Sequence, residues 1–443
     1  MASIKINPIR SIQGKIVAPP SKSYSHRAFI AASLAEGISI IKNPLTIGDV
    51  EITIDILRLL GVKILKEKED TYIVQSSPES FKLHKKVIDC KNSGTSVRIF
   101  SALSLLVEGG LILTGEFFKR NRPLLPLLRA LEALGAEYNI LDDQLIIKRT
   151  HTICDPVKIQ GDISSQFITA LIFVATSIKC NKDDKDGIEI ELTTPLVSYP
   201  YIKITLDVLS SFGINILENL NYEKRGKYFI PYGQKFRPQI YTIPGDFSSA
   251  AFIIAASVLS PQDSKITMSN LNTLNPQGDK EIIEILQKMG ANILINGTKN
   301  QIIIDGNISK YPLKGVNIDC SEIPDLFPIL CVIGAIAKGK TTLYNAAILR
   351  SKECDRIMVM ARELIKMGVK VEKEEDRLTI FQSPLHGSDI DHENDHRIAM
   401  ACTIAALFSD NSSIMKNVEI INDSYPGFID DLNKLGVKIE FVK

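Results

Sequence analysis

The sequence predicts an α/β protein built from six similar units, and three observations support this prediction. An amphipathic helix ending in a Leu-x-x-(Leu/Phe/Met)-Gly pattern occurs six times, a short apolar strand follows each glycine, and successive glycines lie 68 to 78 residues apart. Regular self-similarity is the signature of a repeat architecture, and glycine is the residue that most readily takes the left-handed conformation at a helix C-terminus. The glycines are Gly61, Gly135, Gly213, Gly290, Gly368 and Gly436. We therefore predict two domains of three βαβαββ units each, with a ligand cleft between them.

Proline and glycine set the expected domain boundaries. Pro19-Pro20 and Pro244-Gly245 interrupt any helix or central strand, since proline lacks the backbone donor that both need. The sixth unit ends at the C-terminus without a partner strand, and the alternating residues 4–6 are suited to supply it. We expect domain I to comprise residues 1–20 and 243–443 and domain II residues 21–242, with crossovers near Pro19-Pro20 and between Thr242 and Gly245.

Composition indicates a globular protein of the cytoplasm. The 443 residues are 45% hydrophobic and 23% charged, with a net charge of +1, which excludes a disordered chain and offers no overall basic field for nucleic acid. The seven cysteines show no metal or redox spacing, which fits a reducing compartment. We find no secretory leader and no apolar run long enough to cross a bilayer. The cysteines are Cys90, Cys154, Cys180, Cys320, Cys331, Cys354 and Cys402.

Several helix starts in the first half of the chain carry groups suited to anions. Residues 19–27 read Pro-Pro-Ser-Lys-Ser-Tyr-Ser-His-Arg, with Ser21 as the expected N-cap of a helix that brings Lys22 and Arg27 together. A helix N-terminus attracts negative charge. Asn-Ser-Gly-Thr at 92–95 and Ser-Ser-Gln-Phe at 164–167 also precede apolar helices, and Arg122 comes before Pro123, the expected first residue of another. Taken alone, each serine-containing motif is also consistent with an ordinary capped helix, and Arg122 with a solvated loop charge.

The second half adds acids and further cations. Asp325 lies between a strand and an apolar helix, where it serves either as a cap or as a base beside cations. Lys352 and Arg356 are spaced i,i+4 and so share one face of an expected helix, and Arg397 opens another helix. Asp246 stands where the corresponding helix start of the first half carries lysine, so no phosphate is expected there. Cations from both halves would hold a substrate set with several negative charges.

In combination and in this order, these motifs resemble the 5-enolpyruvylshikimate-3-phosphate (EPSP) synthase family of enolpyruvyl transferases over the whole chain. The family pattern consists of Pro-Ser-Lys-Ser-x-x-x-Arg at 20–27, Asn-Ser-Gly-Thr at 92–95, Arg-Pro at 122–123, Ser-Ser-Gln-Phe at 164–167, Pro-Asp at 324–325, Arg-x-Lys-Glu-x-Asp-Arg at 350–356 and Asn-Asp-His-Arg-x-Ala-Met at 394–400. The resemblance implies two inside-out α/β barrel-like domains and the activity of a 3-phosphoshikimate 1-carboxyvinyltransferase. Such an enzyme moves the enolpyruvyl group of phosphoenolpyruvate to the 5-hydroxyl of shikimate 3-phosphate and releases phosphate. The resemblance further implies that the protein acts in chorismate and aromatic amino acid biosynthesis and is a target of glyphosate. It also implies that the protein needs no metal or organic cofactor and is a monomer.

The resemblance also implies roles for individual residues. Asp325 would accept the 5-hydroxyl proton, and Glu353 with Lys22 would deliver a proton to the methylene carbon. Shikimate 3-phosphate would be held by Lys22, Ser23, Arg27, Ser164, Ser165, Gln166, Ser198, Asp325 and Lys352. Phosphoenolpyruvate would be held by Lys22, Gly94, Arg122, Gln166, Arg356 and Arg397. Gly94 keeps the small residue that leaves room for glyphosate.

One position departs from the family pattern, and three alternatives remain. Asp423 stands where the family usually carries lysine, so we expect weaker binding of phosphoenolpyruvate. The sister family that modifies UDP-N-acetylglucosamine usually has a reactive cysteine in the loop before its Arg-Pro, and the loop from Gly115 to Arg122 contains none. A non-catalytic phospholigand-binding homologue would need neither Asp325 nor Glu353. An RNA-processing relative would need a basic surface, against a pI near 7.5.

Overall fold

The computed structural model describes residues 2–77, 81, 87–120, 122–151, 155–178 and 186–442. Cys154 and Cys180 lie outside the described residues. The chain divides into two compact units, Met1–Pro19 with Pro244–Lys443 (unit 1) and Pro20–Ile243 (unit 2). We propose that these units are the two domains of the protein.

The strands and helices follow one another in a regular order. The chain begins with β1 (Ser3–Ile6) and β2 (Gln13–Val17). Unit 2 contains α1 (Lys22–Leu34), β3 (Gly37–Lys42), α2 (Asp49–Leu59), β4 (Lys63–Lys68), β5 (Thr71–Ser76), β6 (Val87–Asp89), α3 (Gly94–Leu103), β7 (Leu111–Thr114), α4 (Leu125–Glu132), β8 (Ala136–Leu141), β9 (Gln144–Arg149), β10 (Val157–Ile159), α5 (Ser165–Ala175), β11 (Gly187–Leu192), α6 (Tyr199–Ser211), β12 (Leu217–Leu220), β13 (Gly226–Pro231) and β14 (Ile240–Thr242).

Unit 1 resumes after the second crossover with the same alternation. Its elements are α7 (Phe247–Leu259), β15 (Ser264–Ser269), α8 (Glu281–Met289), β16 (Asn292–Asn296), β17 (Gln301–Gly306), β18 (Asn317–Asp319), α9 (Phe327–Ile336), β19 (Lys340–Tyr344), α10 (Arg356–Lys366), β20 (Val371–Lys373), β21 (Leu378–Phe381), β22 (Asp389–Ile390), α11 (His396–Leu407), β23 (Ser413–Lys416), α12 (Phe428–Lys434) and β24 (Ile439–Val442). The predicted βαβαββ copies are therefore present.

The described strands form six four-stranded sheets with one shared topology. In β6-β7-β9-β8, for example, the first pair is parallel and the other two pairs are antiparallel. Three sheets join strands that are distant in the sequence but belong to the same unit: β14 pairs with β3, β2 pairs with β15, and β1 lies between β23 and β24. The prediction that residues 4–6 complete the sixth copy is confirmed, because Ile4 pairs with Phe441 and Ile6 with Ile439.

The six repeat glycines end their helices in the left-handed region. Their φ angles lie between 83° and 117°, which a residue with a side chain adopts only at a cost. The backbone N–H groups of Gly61, Gly135 and Gly213 each return to a carbonyl oxygen of the preceding helix. The predicted C-terminal role of these glycines is confirmed.

Buried helices form the centre of each unit. In unit 1, α7, α9 and α11 pack against one another, and every residue of α7 and α11 is buried. In unit 2, α3 packs on α5, while α1 packs on α2 and α6. Each unit has its own hydrophobic core. The predicted α/β fold is confirmed. Among the described residues, no helix is both long and apolar enough to span a bilayer.

Candidate active site

The start of α1 in unit 2 brings charged and hydroxyl groups together. Lys22 Nζ lies 3.0 Å from Asp49 Oδ2 at the start of α2. Ser21 occupies the expected N-cap position, but its hydroxyl makes no capping hydrogen bond within the described chain. Lys22 is thus held at a helix N-terminus by an acid that the sequence analysis did not single out.

Arg27 lies one turn further along α1 and is almost fully buried. Its Nε donates to Thr205 Oγ1 (2.8 Å), its Nη1 to the Ser23 carbonyl (2.9 Å), and its Nη2 to Thr169 Oγ1 (3.4 Å) and the Tyr201 carbonyl (3.1 Å). Burial lowers the pKa of Arg27 to about 10, so the guanidinium stays charged at neutral pH. These bonds use four of its five donors, which leaves capacity for one more bond rather than a two-pronged grip on an anion.

Gly94 and Arg122 meet at the start of α3. Ser93 caps this helix by accepting the Ser96 N–H (3.2 Å), and Arg122 Nη1 donates to the Asn92 carbonyl (3.1 Å). A Cβ atom at Gly94 would lie 2.6 Å from Arg122 Nη2. The guanidinium therefore lies directly over the glycine at a helix N-terminus, an arrangement suited to phosphate.

Replacing Gly94 with alanine is expected to displace the Arg122 guanidinium while leaving the fold intact, because only the end of a flexible side chain must move. We expect the KM for phosphoenolpyruvate to rise about tenfold, the effect of losing one charge-assisted hydrogen bond. Steady-state kinetics check this, with Gly297→Ala as the control, since a Cβ at Gly297 meets open space. An unchanged KM in the Gly94 variant would contradict the prediction.

The start of α5 joins this cluster through Gln166. Gln166 Nε2 donates to Thr95 Oγ1 (3.1 Å), and its Oε1 accepts from Arg98 Nη1 (2.7 Å). Ser164 caps α5 by accepting the Gln166 N–H (3.3 Å). The Arg98 guanidinium also lies over the rings of Phe117 and Phe167. Thr95 on α3 and Gln166 on α5 are thus held in one network.

The start of α6 carries Ser198 in an unusual conformation. Ser198 is buried, its φ is 55°, and its hydroxyl has no hydrogen-bond partner among the described residues. A non-glycine residue in the left-handed region costs free energy, and residues strained in this way cluster at functional sites. Ser165, the first residue of α5, is also buried. The serines predicted to hold a ligand all lie at or next to helix starts.

Unit 1 contains a cluster of arginines and carboxylates at the starts of α10 and α11, which we call the arginine cluster (Asp325, Glu353, Arg356, Asp395 and Arg397). Arg356, 1% exposed, donates to Asp325 (2.8 Å), Glu353 (2.9 Å) and Asp395 (2.8 Å). Asp395 also caps α11 by accepting the Arg397 and Ile398 N–H groups. The cluster therefore ties α10, α11 and the segment before α9 together.

Asp325 accepts from two arginines at once. Arg397 Nη2 lies 2.9 Å from Asp325 Oδ2, on the oxygen that Arg356 does not use. Burial raises the pKa of Asp325, but the charges of Arg397, Arg356 and Lys352 outweigh burial and hold the pKa well below its ordinary value. The N-cap of α9 is Leu326, so Asp325 is not the helix cap that the sequence allowed as an alternative.

Asp279 is a second buried carboxylate near this cluster, and the sequence analysis did not find it. The Ser248 hydroxyl donates to it. Burial and the charge of Asp325 raise the pKa of Asp279 to about 7, while Arg397 and the Ser248 hydrogen bond lower it. Gln277, two residues earlier, binds both the Gly245 carbonyl (2.7 Å) and the Phe247 N–H (3.0 Å). This segment fixes the start of α7.

The raised pKa of Asp279 makes the stability of unit 1 depend on pH. Its folded pKa exceeds the unfolded value, so its stabilising contribution is full below about pH 4 and is lost as pH rises through about 7. Relative to Asp279→Asn, the wild-type free energy of unfolding is expected to fall by about 1 kcal/mol per pH unit in this window. Denaturant titrations at several pH values measure the difference. Asp305→Asn changes a half-exposed strand residue, and its free energy of unfolding should depend on pH in the same way as that of the wild type. If Asp279→Asn also shows the pH dependence of the wild type, the prediction is contradicted.

Two expectations about local structure are wrong. Lys352 and Arg356 do not share a helical face, because α10 begins only at Arg356 with Asp355 as its cap, accepting the Met358 N–H at 3.0 Å. Pro123 does not open a helix, because α4 begins at Leu125 and carries its proline in the first turn. Asp246 serves as the N-cap of α7, accepting the Ser249 N–H (2.8 Å).

Asp423 lies half-buried at the end of a short helical turn. The carbonyl of its neighbour Ser424 accepts the Ser249 hydroxyl (3.1 Å) on α7. The segment that departs from the family pattern is thus tied to the start of α7. The predicted site residues fall into two sets, one in each unit, and their roles toward substrate stay predictions.

The fold of this chain is similar to those of solved structures from two other organisms. The enolpyruvyl transferase NikO from Streptomyces tendae superposes with a TM-score of 0.79 at 18% identity, covering 100% of this chain and 99% of that one. EPSP synthase from Acinetobacter baumannii gives a TM-score of 0.80 at 25% identity, covering 100% of both chains.

The sequence comparisons are more specific than the fold. The family model for EPSP synthase (3-phosphoshikimate 1-carboxyvinyltransferase) matches residues 6–432. The 3-phosphoshikimate 1-carboxyvinyltransferase of Methanocaldococcus jannaschii is 43% identical over 97% of this chain and 97% of its own. That of Methanococcus vannielii is 42% identical over 97% and 98%. The chain belongs to the EPSP synthase family.

Proposed function

We propose that this protein transfers the enolpyruvyl group of phosphoenolpyruvate to the 5-hydroxyl of shikimate 3-phosphate and releases phosphate. Family membership over nearly the whole chain carries the proposal. The chemistry of the side chains agrees, because two anionic substrates repel each other and need a surplus of fixed cations. Lys22, Arg122, Lys352, Arg356 and Arg397 supply those cations.

The proposed binding roles divide between the two units. In unit 2, Ser23, Arg27, Ser164, Ser165 and Ser198 hold shikimate 3-phosphate, Gly94 and Arg122 hold phosphoenolpyruvate, and Lys22 and Gln166 contact both. In unit 1, Lys352 and Asp325 act on shikimate 3-phosphate, while Arg356 and Arg397 hold phosphoenolpyruvate. Four of the five N–H donors of Arg27 are bonded within the protein, which supports a single hydrogen bond from this residue to substrate.

The proposed base and acid both belong to the arginine cluster. Asp325 accepts the 5-hydroxyl proton, and Glu353, with Lys22, protonates the methylene carbon. A carboxylate with a lowered pKa is a weak base, and Asp325 keeps that pKa while Arg356 and Arg397 donate to it. Phosphoenolpyruvate competes for these donors, and each donor it takes makes Asp325 more basic. Binding of phosphoenolpyruvate thus raises the pKa of Asp325 and makes it a stronger base.

The reaction proposed here uses no metal or organic cofactor, since the arginines and lysines provide the positive charge. One chain carries every side chain to which we assign a role, which supports a monomer. The scattered cysteines of the sequence support a cytoplasmic protein.

Phosphate release tests the proposed function. Wild-type protein receives phosphoenolpyruvate with either shikimate 3-phosphate or UDP-N-acetylglucosamine, and each substrate alone serves as control. Release only with shikimate 3-phosphate is expected, because the loop from Gly115 to Arg122 has no cysteine for the other reaction. Release with UDP-N-acetylglucosamine would overturn the substrate assignment, and release with neither would overturn the activity.

Asp423 is expected to weaken phosphoenolpyruvate binding, because it adds a negative charge where family members usually place a positive one. In Asp423→Lys, the KM for phosphoenolpyruvate should fall by about tenfold, a typical effect of one added charge contact. Asp423→Asn separates loss of the negative charge from gain of the positive one and should show a smaller decrease. A KM that stays constant in both variants would contradict this prediction.

A further inference from the structure

Two separate hydrogen-bonded networks begin at neighbouring residues of α1 in unit 2, His26 and Arg27. The first, the α2 network (His26, Thr53, Ser96 and Ser93), runs from α1 through α2 to the start of α3. His26 Nδ1 and Thr53 Oγ1 lie 2.8 Å apart, Thr53 Oγ1 and Ser96 Oγ 3.0 Å, and the Ser96 and Ser93 hydroxyls 2.9 Å. Each of these side chains is at most 1% exposed. Burial lowers the pKa of His26 to about 3, so the network is uncharged at neutral pH.

The α2 network reaches residues proposed to bind phosphoenolpyruvate. Ser93 caps α3 directly before Gly94. On α2, Asp49 lies one turn before Thr53, and its partner Lys22 lies one turn before His26 on α1. Because residues four apart share a helical face, α2 contacts α1 at two successive turns. Helix α2 carries no proposed substrate contact of its own. Its Asp49 holds Lys22, while its Thr53 holds the start of α3, so a change at Thr53 leaves the Lys22 contact in place.

The second network, the α6 network (Arg27, Thr169, Thr205 and Tyr201), runs from α1 to α5 and α6. Arg27 Nε donates to Thr205 Oγ1 (2.8 Å), and the Thr169 and Thr205 hydroxyls lie 2.9 Å apart. The Tyr201 carbonyl accepts from both Arg27 (3.1 Å) and Thr205 (3.1 Å). Thr169 lies one turn after Ser165 on α5, and Tyr201 lies in the first turn of α6 after Ser198. This network fixes the helix starts that carry the shikimate 3-phosphate serines.

We propose that Thr53 is a positioning residue for phosphoenolpyruvate and Thr205 a positioning residue for shikimate 3-phosphate, each acting through its own buried network. This inference rests on the proposed function. The two residues assigned to both substrates lie outside both networks but on helices that the networks connect: Lys22 is on α1, and Gln166 on α5 donates to Thr95 on α3.

The networks make the two positioning effects separable. Thr53 and Thr205 are fully buried threonines of the same unit, and valine has nearly the same shape without the hydroxyl. Valine at position 53 removes the link between α2 and the start of α3. Valine at position 205 leaves the buried Nε donor of Arg27 without its acceptor. Loss of one such hydrogen bond is expected to change affinity by about fivefold to tenfold.

The test is a crossed kinetic experiment on the full-length protein. In Thr53→Val, the KM for phosphoenolpyruvate is expected to rise about fivefold to tenfold, while the KM for shikimate 3-phosphate and kcat stay within about twofold of wild type. In Thr205→Val, the KM for shikimate 3-phosphate is expected to rise by the same factor, while the KM for phosphoenolpyruvate and kcat stay within about twofold of wild type. Equilibrium dialysis of shikimate 3-phosphate alone gives a readout without turnover, and only Thr205→Val should weaken that binding.

Matched variants separate positioning from loss of stability. Thr53→Ser and Thr205→Ser keep the hydroxyl and should restore both KM values. Thr341→Val in unit 1 changes a fully buried threonine whose hydroxyl has no partner in the described part of the chain, and both KM values should stay at wild type. If both KM values rise together in either valine variant, or if neither rises, the inference is overturned. Absence of wild-type turnover would instead overturn the proposed function, and dialysis would still report on Thr205.

Discussion

Replacing Arg356 with methionine is expected to destabilise unit 1 strongly and to abolish turnover. The change leaves Asp325, Glu353 and Asp395 close together without the guanidinium that contacts all three. Removing one partner of a buried ion pair costs about 3–5 kcal/mol. For a unit of this size, that corresponds to a decrease in Tm of roughly 10 °C. Calorimetry of the full chain measures the decrease.

Arg362 provides a matched control on the same helix. It also faces three carboxylates, Glu363, Asp391 and Glu393, but its side chain is 35% exposed. Glu363 keeps Lys366 as a second partner at 2.8 Å. The pairs with Asp391 and Glu393 are partly exposed and contribute at most about 1 kcal/mol each. Because the buried Glu363 keeps Lys366, Arg362→Met should lower the Tm by only a few degrees. Equal decreases in the two variants would show that burial of Arg356 is not the cause.

Asparagine at position 325 is expected to lower kcat by about a hundredfold to ten-thousandfold, the usual contribution of a positioned general base. The substitution keeps the shape of the side chain but removes the proton acceptor. It also removes a negative charge that competes with phosphoenolpyruvate for Arg356 and Arg397, so the KM for phosphoenolpyruvate should not rise. Steady-state phosphate release measures both constants.

Asp305→Asn is the control for this experiment, because it makes the same substitution at an acid to which we assign no role. Asp305→Asn lies on a strand of the same unit and should leave kcat unchanged. If Asp325→Asn keeps kcat within tenfold of wild type, Asp325 is not the base, and Glu353 becomes the group to test in the same assay.

The repeat could be predicted from the sequence because its signals are local. Each of the six glycines follows a helix whose apolar spacing is visible in the sequence, and each has the positive φ that its position requires. Strand β1 was predictable for a different reason: the sixth copy lacked a partner strand, and residues 4–6 alternated correctly. Ser93 and Ser164 were recognisable in motifs at helix starts because capping depends on residues only two or three positions apart.

Contacts between distant residues could not be predicted in the same way. The pairing of Lys22 with Asp49, and of Arg356 with Asp395, depends on how helices pack, and a single sequence carries no signal for it. Asp279 was missed because a lone acid after Gln-Gly resembles an ordinary loop. The expectations for Lys352 and Pro123 failed at helix boundaries, where the Asp355 cap and the true start at Leu125 shift the first turn by a few residues.

Strand pairings between distant parts of the chain determine when each unit can fold during synthesis on the ribosome. Residues 20–243 are contiguous, so unit 2 can fold as soon as this segment emerges. Among the described strands, β1 pairs with β23 and β24, which are synthesised about 400 residues later, and such long-range contacts form slowly. Strand β1 must therefore wait for β23 and β24, and its sheet in unit 1 is complete only after residue 442 has been synthesised.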